Sequence, residues 1–173
     1  GVDVSICENT STTLTASGSG GTDYLWSTGE TTKSITVNPS ATTTYSVTVS
    51  NATNSDTDEV EVTVTPLPTA NAGADVIILD GESTTLTASG GDSYLWSTGE
   101  TTQSITVSPN STSTYSVEVT QNNCSSTDEV MVTVNIPVTA NAGVDVSICE
   151  STSTTLTASG SGGTDYLWST GET

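Results

Sequence analysis

Trp26, Trp96 and Trp168 recur at intervals of 70 and 72 residues, each inside the octapeptide YLWSTGET (24–31, 94–101 and 166–173). Self-similarity at a fixed long period means repeated folding units, so the repeat has to be delimited before anything else is read. Gly1, Gly73 and Gly143 each open a copy of G-[VA]-D-V-x-I, at intervals of 72 and 70 residues. The two-residue difference arises where GSGGTDY (18–24 and 160–166) stands against GGDSY (90–94). Residues 1–31 and 143–173 are identical except for Asn9 against Ser151, whereas the second copy differs from both. The true period is a pair of units 142 residues long. The chain reads as one pair plus the opening of the next, a window on a longer periodic array.

Within each unit the apolar residues alternate, which is the mark of a half-buried strand. In the first copy the alternating sets are Val2, Val4, Ile6; Leu14, Ala16; Tyr24, Trp26; Ile35, Val37; Tyr45, Val47, Val49; and Val60, Val62, Val64. The clusters between them (CENTS, GSGGTD, TGETT, NPSATT, NATNSDTD) are rich in turn formers. The second copy repeats the scheme, and no segment has helical periodicity. Threonine is abundant because a β-branched hydroxyl suits the solvent face of a strand. Six strands per unit follow, with a short seventh expected within residues 28–33. Many short strands around one central Trp describe a small β-sandwich. Pro66, Pro68 and TANAG (69–73), then Pro137 and TANAG (139–143), punctuate the boundaries. The expected domains are 1–67, 68–137 and a partial third over 138–173 that holds only its first three strands. A unit this small buries roughly 60–65% of its unfolded surface and is marginal alone, so contact with its neighbours matters.

The order TANAGADV, TTLTASGG, YLWSTGETTQSITVSP, TYSVEVT and TDEVMVTV resembles the tandem immunoglobulin-like and PKD-like repeats of Bacteroidota cell-surface proteins. Gliding adhesins and other type IX-secreted proteins are among them. ANAG-x-D and Y-x-W-x-x-G-[ED] are similar to the PKD pattern, with Ser27-Thr28-Gly29-Glu30 where PKD domains carry an aromatic residue and Gly-Asp-Gly. The resemblance covers all 173 residues. It implies an all-β array of tandem immunoglobulin-like β-sandwich domains, extracellular and displayed at a bacterial cell surface. The implied role is that of a stalk or filament, its partners being neighbouring repeats of the same chain or identical chains in a filament.

Charge narrows the function classes. Twenty Asp and Glu stand against one basic residue, Lys33, with no His and a net charge of -19. Nucleic-acid binding needs basic side chains to displace phosphate counterions, so it is excluded, and anionic membrane surfaces repel such a chain. The apolar runs are too short to insert in a bilayer. Nucleophilic catalysis lacks a base partner, and the recurring Glu30 and Glu100 sit in tight turns without a pocket former, so an enzyme is not expected. Lys33 becomes Gln103 in the second copy, which removes self-forming isopeptide bonds as a repeating device. Calcium is the one cofactor left open, with Asp56, Asp58, Glu59, Asp75, Asp128 and Glu129 as candidate oxygen ligands near domain junctions. Asp56 becomes Ser126, however, and no EF-hand loop appears, so solvated acidic turns are the simpler reading. The pairs Tyr24/Trp26 and Tyr94/Trp96 suggest a carbohydrate platform only if exposed, and Trp in the third strand of a sandwich is normally core. Asn9, Asn51, Asn110 and Asn123 lie in N-x-[ST] sequons, which Thr-rich chains match by chance. The alternative to a stalk is a carbohydrate- or calcium-dependent binding module, but its loops should vary between copies, and those of copies one and three do not.

The cysteines carry the sharpest expectation. The first copy holds only Cys7 and the second only Cys124, while Cys149 repeats Cys7; Asn54 and Leu79 occupy the complementary positions. No complete domain can therefore form an internal disulfide. If each domain makes seven passes, its ends lie at opposite poles. The first turn of domain one, with Cys7, then faces the last hairpin of domain two, with Cys124. The expected bridge is Cys7–Cys124, an inter-domain staple at alternate junctions, with Cys149 bonded to a residue beyond 173.

Overall fold

A computed structural model describes residues 1–171 of the chain. Residues 4–65 carry six strands: β1 (Val4–Cys7), β2 (Thr12–Thr15), β3 (Asp23–Trp26), β4 (Ser34–Val37), β5 (Thr43–Ser50) and β6 (Ser55–Thr65). They form one sheet of order β1-β6-β5-β3 and a second of β2-β4. Residues 76–135 repeat this with β7 (Val76–Leu79), β8 (Thr84–Thr87), β9 (Ser93–Trp96), β10 (Ser104–Val107), β11 (Ser113–Gln121) and β12 (Cys124–Asn135). Their sheets run β7-β12-β11-β9 and β10-β8. Immunoglobulin-like sandwiches pair strands C, F and G in one sheet and B and E in the other. Here β3, β5, β6 and β2, β4 take those places, with β1 lying parallel to β6 as β7 does to β12. The chain is a tandem of immunoglobulin-like β-sandwiches.

Alternation decides what each strand buries. In β4 and β10 the pattern is strict, with Ile35, Val37, Ile105 and Val107 inward and Ser and Thr outward. Leu14, Ala16, Trp26, Val47, Val60 and Val62 complete the core of domain 1. Leu86, Ala88, Trp96, Val117, Val130 and Val132 do so in domain 2. Each indole buries its ring and donates its N–H to a loop carbonyl, Trp26 to Thr32 at 2.9 Å and Trp96 to Thr102 at 3.0 Å. That satisfies the one polar atom a buried Trp brings with it. On the outer face, hydroxyl pairs such as Thr13–Thr36 and Thr87–Ser104 tie neighbouring strands.

The seventh strand expected within residues 28–33 is not a strand. Gly29, at φ 96, closes a tight turn in which its N–H meets the Trp26 carbonyl at 2.9 Å. The chain nevertheless makes seven passes. β3 runs antiparallel to β5 although β4 lies between them in the chain, so the chain reverses once more than its strands require, and residues 27–33 carry it back. An odd number of passes puts the entry and exit of domain 1 at opposite poles.

The third copy departs from its expected three strands. Residues 146–149, 154–157 and 165–168, which repeat β1, β2 and β3, lie outside any strand and are almost wholly exposed. Their templates pair with β6, β4 and β5, and this chain holds no third set of those partners. A lone strand has nowhere to place its backbone hydrogen bonds except water. Only β13 (Thr139–Asn141) and β14 (Ser159–Ser161) pair, over three residues each. Glu172 and Thr173, the end of the third YLWSTGET, lie outside the described residues.

Candidate functional site

The joint between the two complete sandwiches is built from the ends of four strands. β6 ends at Thr65, and Pro66 and Leu67 are the only residues before domain 2 begins to pack at the buried Pro68. Proline at 66 and 68 fixes φ twice within three residues, which stiffens so short a connection. Beside it β1 ends at Cys7, held next to Thr65 by the parallel register and by the Glu8 N–H on the Thr65 carbonyl at 2.8 Å. From domain 2 the β11–β12 hairpin reaches down. Its turn places Asn122 and Asn123 at φ 52 and 63, which Asn tolerates better than most residues. That tight turn presents Cys124, and Cys7 and Cys124 form a disulfide with Cα atoms 5.6 Å apart. The pole count made from the sequence thus holds: the bridge spans 117 residues and joins domain to domain. At the second boundary the position of Cys7 is Leu79, 48% exposed, and Cys149 is exposed with a free thiol. Two covalent connections hold the first joint.

The acidic candidates fall elsewhere. Asp56, Asp58 and Glu59 were expected in the loop before the last strand, but they lie within β6, whose hairpin with β5 closes only at Asn51–Asn54. The Asn51 side chain tightens that turn by accepting from the Thr53 and Asn54 N–H groups, each at 3.0 Å. Ser-Asp-Thr-Asp has no apolar alternation because this part of the ribbon is exposed on both faces. The carboxylates serve the backbone. Asp75 accepts the Met131 N–H at 2.9 Å, and Asp3 does the same for Glu61 at 2.9 Å, pinning the leading strand to the last one in both domains. Asp128 accepts the Ala72 N–H at 2.8 Å. Asp58 lies opposite Val47, in the part of β6 that is exposed. Glu129 lies opposite Ser116 and is itself exposed, on the outer face of the β11–β12 ribbon. Among the described residues no three acidic, His or Cys side chains gather to hold a metal ion.

The aromatic pairs do not make a platform, since Trp26 and Trp96 are 3% and 1% exposed. Tyr24 and Tyr94 are half-buried beside them, and the Tyr94 hydroxyl donates to the Gly91 carbonyl at 2.9 Å. Among the described residues no helix is long and apolar enough to cross a membrane.

One role was invisible in the sequence. TANAG (69–73) reads as punctuation of the domain boundary, but Ala72 is 1% exposed in the core of domain 2. Asn71 and Ser89 exchange both backbone hydrogen bonds, at 3.1 and 2.9 Å. The available signal was Ala70 and Ala72, which alternate like a strand but are small enough to pass for boundary punctuation.

No family model matches the sequence, and no curated protein matches it. Among solved structures, the extracellular domains 3–5 of Drosophila OTK align at TM-score 0.43 and 9% identity, over 77% of this chain and 59% of that one. Sidekick-1 immunoglobulin domains 1–4 align at TM-score 0.37 and 14% identity, over 82% and 52%. DIP-gamma IG1+IG2 aligns at TM-score 0.38 and 12% identity, over 77% and 93%. The immunoglobulin-like assignment rests on the strand order and registers above.

Proposed function

We propose that this chain is a stretch of the stalk or shaft of an extracellular bacterial surface adhesin or filament, spacing an adhesive tip from the cell. Its repeats belong with the PKD-like and immunoglobulin-like arrays of Bacteroidota that its motifs resemble. The observation that carries this reading is the stapled joint between two sandwiches whose ends lie at opposite poles. A disulfide of this kind persists in oxidising surroundings outside the cytoplasm, and strong acidity keeps a long fibre soluble and free of casual contacts.

The mechanism is mechanical rather than catalytic. Tension entering at Gly1 runs along β1 to Cys7, crosses to Cys124 and leaves along β12 toward Asn135. The loop closed by the bridge is bypassed. A domain that yields under load therefore releases little length while the bridge is intact. A binding module has less support, because the indoles are buried and the repeating Asp3 and Asp75 hold backbone N–H groups.

Pulling single molecules by their ends, oxidised and then reduced, tests this. Reduction should add about 400 Å of releasable length, from 117 residues at roughly 3.5 Å each. Equal extension in both states, or sandwiches that open without measurable resistance, would sink the stalk reading.

A further inference from the structure

The bridge at the joint is lopsided. Cys124 is 2% exposed, whereas Cys7 is only partly covered. The Cys7 sulfur stands 3.6 Å from the Asn123 carbonyl oxygen, in an exposed setting. A thiolate opens a disulfide by attacking one of its sulfurs, and access helps decide which one it meets. Burial closes the approach to Cys124. Cys7 is left as the point of entry.

Charge decides what can enter there. Glu8 follows Cys7 directly and is exposed, its N–H held on the Thr65 carbonyl. Across the joint Asp92, also exposed, donates its N–H to the Thr120 carbonyl at 2.9 Å. Thr120 lies opposite Ser125, the residue after Cys124, so this carboxylate is at the same end of domain 2 as the bridge. The one basic side chain, Lys33, belongs to the other end of domain 1. Its carbonyl takes the Ala16 N–H at 3.0 Å just past the end of β2, whereas the turn after Cys7 leads into the start of β2. No basic side chain therefore meets the negative charge that an attacking thiolate brings and spreads over three sulfurs. With a net charge of -19, the chain as a whole repels anions too.

We propose that the joint is opened through Cys7 by small thiols that carry their own positive charge, the aminothiols. The thiolate forms a bond to Cys7 Sγ as the Cys7–Cys124 bond breaks. The bonding pair leaves on Cys124 Sγ, which takes a proton from water, and Cys7 carries the mixed disulfide. A second aminothiolate attacks the outer sulfur of that adduct, departs as the symmetrical disulfide, and releases Cys7 to be protonated as a thiol. Two thiols are oxidised and one bridge is reduced. The ammonium of the reagent neutralises the charge that the protein leaves uncovered, whereas an anionic thiol such as glutathione adds to it. The freed Cys7 thiol can donate to the Asn123 carbonyl, which keeps it beside Cys124 for reclosure. In the open state Pro66 and Leu67 alone connect the domains. The inference rests on the bridge and its surroundings, not on the stalk reading, since thiol preference and resistance to force are measured separately.

The test uses the full chain carrying Cys149→Ser, so that only the bridge exchanges. Its reduction by cysteamine and by glutathione is followed under native conditions, each rate divided by that of the same thiol on a small uncharged disulfide. One unit of reagent charge about 6 Å from a carboxylate in water changes a rate about threefold, and the two thiolates differ by two units, so cysteamine should win by about tenfold at low salt. The ratio should fall to within about twofold at about 1 M salt, where the Debye length is about 3 Å. Glu8→Lys, a change at an exposed side chain, should remove the preference. Mass mapping after acid quench should place the first adduct on Cys7 over Cys124 by about tenfold or more. Equal corrected rates, a preference that survives both salt and Glu8→Lys, or a first adduct on Cys124 would each overturn the proposal. So would a rate independent of thiol concentration, because the bridge would then open by unfolding and not by attack at the joint.

Discussion

Residues 1–29 and 143–171 have the same sequence but for one residue, and they do not have the same structure. In the first, Leu14, Ala16 and Trp26 lie in a closed core. In the second, Leu156 is exposed and Ala158 and Trp168 are only partly covered. The turns survive the change. Thr10 N–H meets the Cys7 carbonyl at 3.1 Å and Thr152 N–H meets that of Cys149 at 3.1 Å; Gly29 and Gly171 close their turns on Trp26 and Trp168, both at 2.9 Å. Turn chemistry is local and needs only its own few residues. A strand is a non-local object, made when a partner takes its hydrogen bonds and a second sheet covers its apolar face.

Matched substitutions in the two segments should break that likeness, and the staple should do so most. Replacing both Cys7 and Cys124 by Ser frees a loop of 117 residues. In the chain-entropy view this costs the linked pair about 4–5 kcal/mol. Cys149→Ser should leave denaturant unfolding unchanged, because that thiol is exposed and unbonded. A loss under about 1 kcal/mol for the double variant would mean that the joint already holds without its bridge.

Next in size is the central indole. Trp26→Ala should destabilise domain 1 by about 3–5 kcal/mol, lowering its calorimetric transition by some 12 °C or more. Trp168→Ala should not move either transition. If Trp168→Ala also lowers one, the third segment packs on a sandwich after all, and the contrast drawn above narrows.

The same distinction separates what could be read from the sequence from what could not. Ile35/Val37 and Val60/Val62 announced strands because alternation is imposed by the pleat itself. Cys7–Cys124 was readable because two cysteines present at one joint, and absent together at the next, encode a pairing once the passes are counted. The strands expected at 144–148, 154–158 and 166–168 failed because their pattern is written in the strand and their partners are not. Asp56 and Asp58 were assigned to a loop because a two-sided exposed ribbon carries no apolar period. Ala72 escaped because a small residue buries without looking hydrophobic.

The smallest expected effect lies at the one position where the two segments differ. Asn9 and Ser151 hold the same place in the same turn, at φ 64 and 65. That left-handed conformation crowds Cβ against the carbonyl oxygen, and Asn tolerates it better than Ser because its amide bonds locally. In domain 1 the turn is coupled to the whole sandwich, since it ends β1 and directs Cys7 toward Cys124. Asn9→Ser should therefore cost domain 1 about 0.5–1 kcal/mol, a fraction of the full left-handed penalty of roughly 1–2 kcal/mol, since Asn offsets only part of it. The reciprocal Ser151→Asn cannot show in melting, because no cooperative unit contains that turn. It should show locally, as slower hydrogen exchange at the Thr152 N–H by about 2- to 5-fold, the same free energy expressed as a population. Equal melting shifts from both substitutions would mean that the third copy folds as part of a cooperative whole. No exchange difference at Thr152 would mean that the turn there is set by something other than the backbone preference of residue 151.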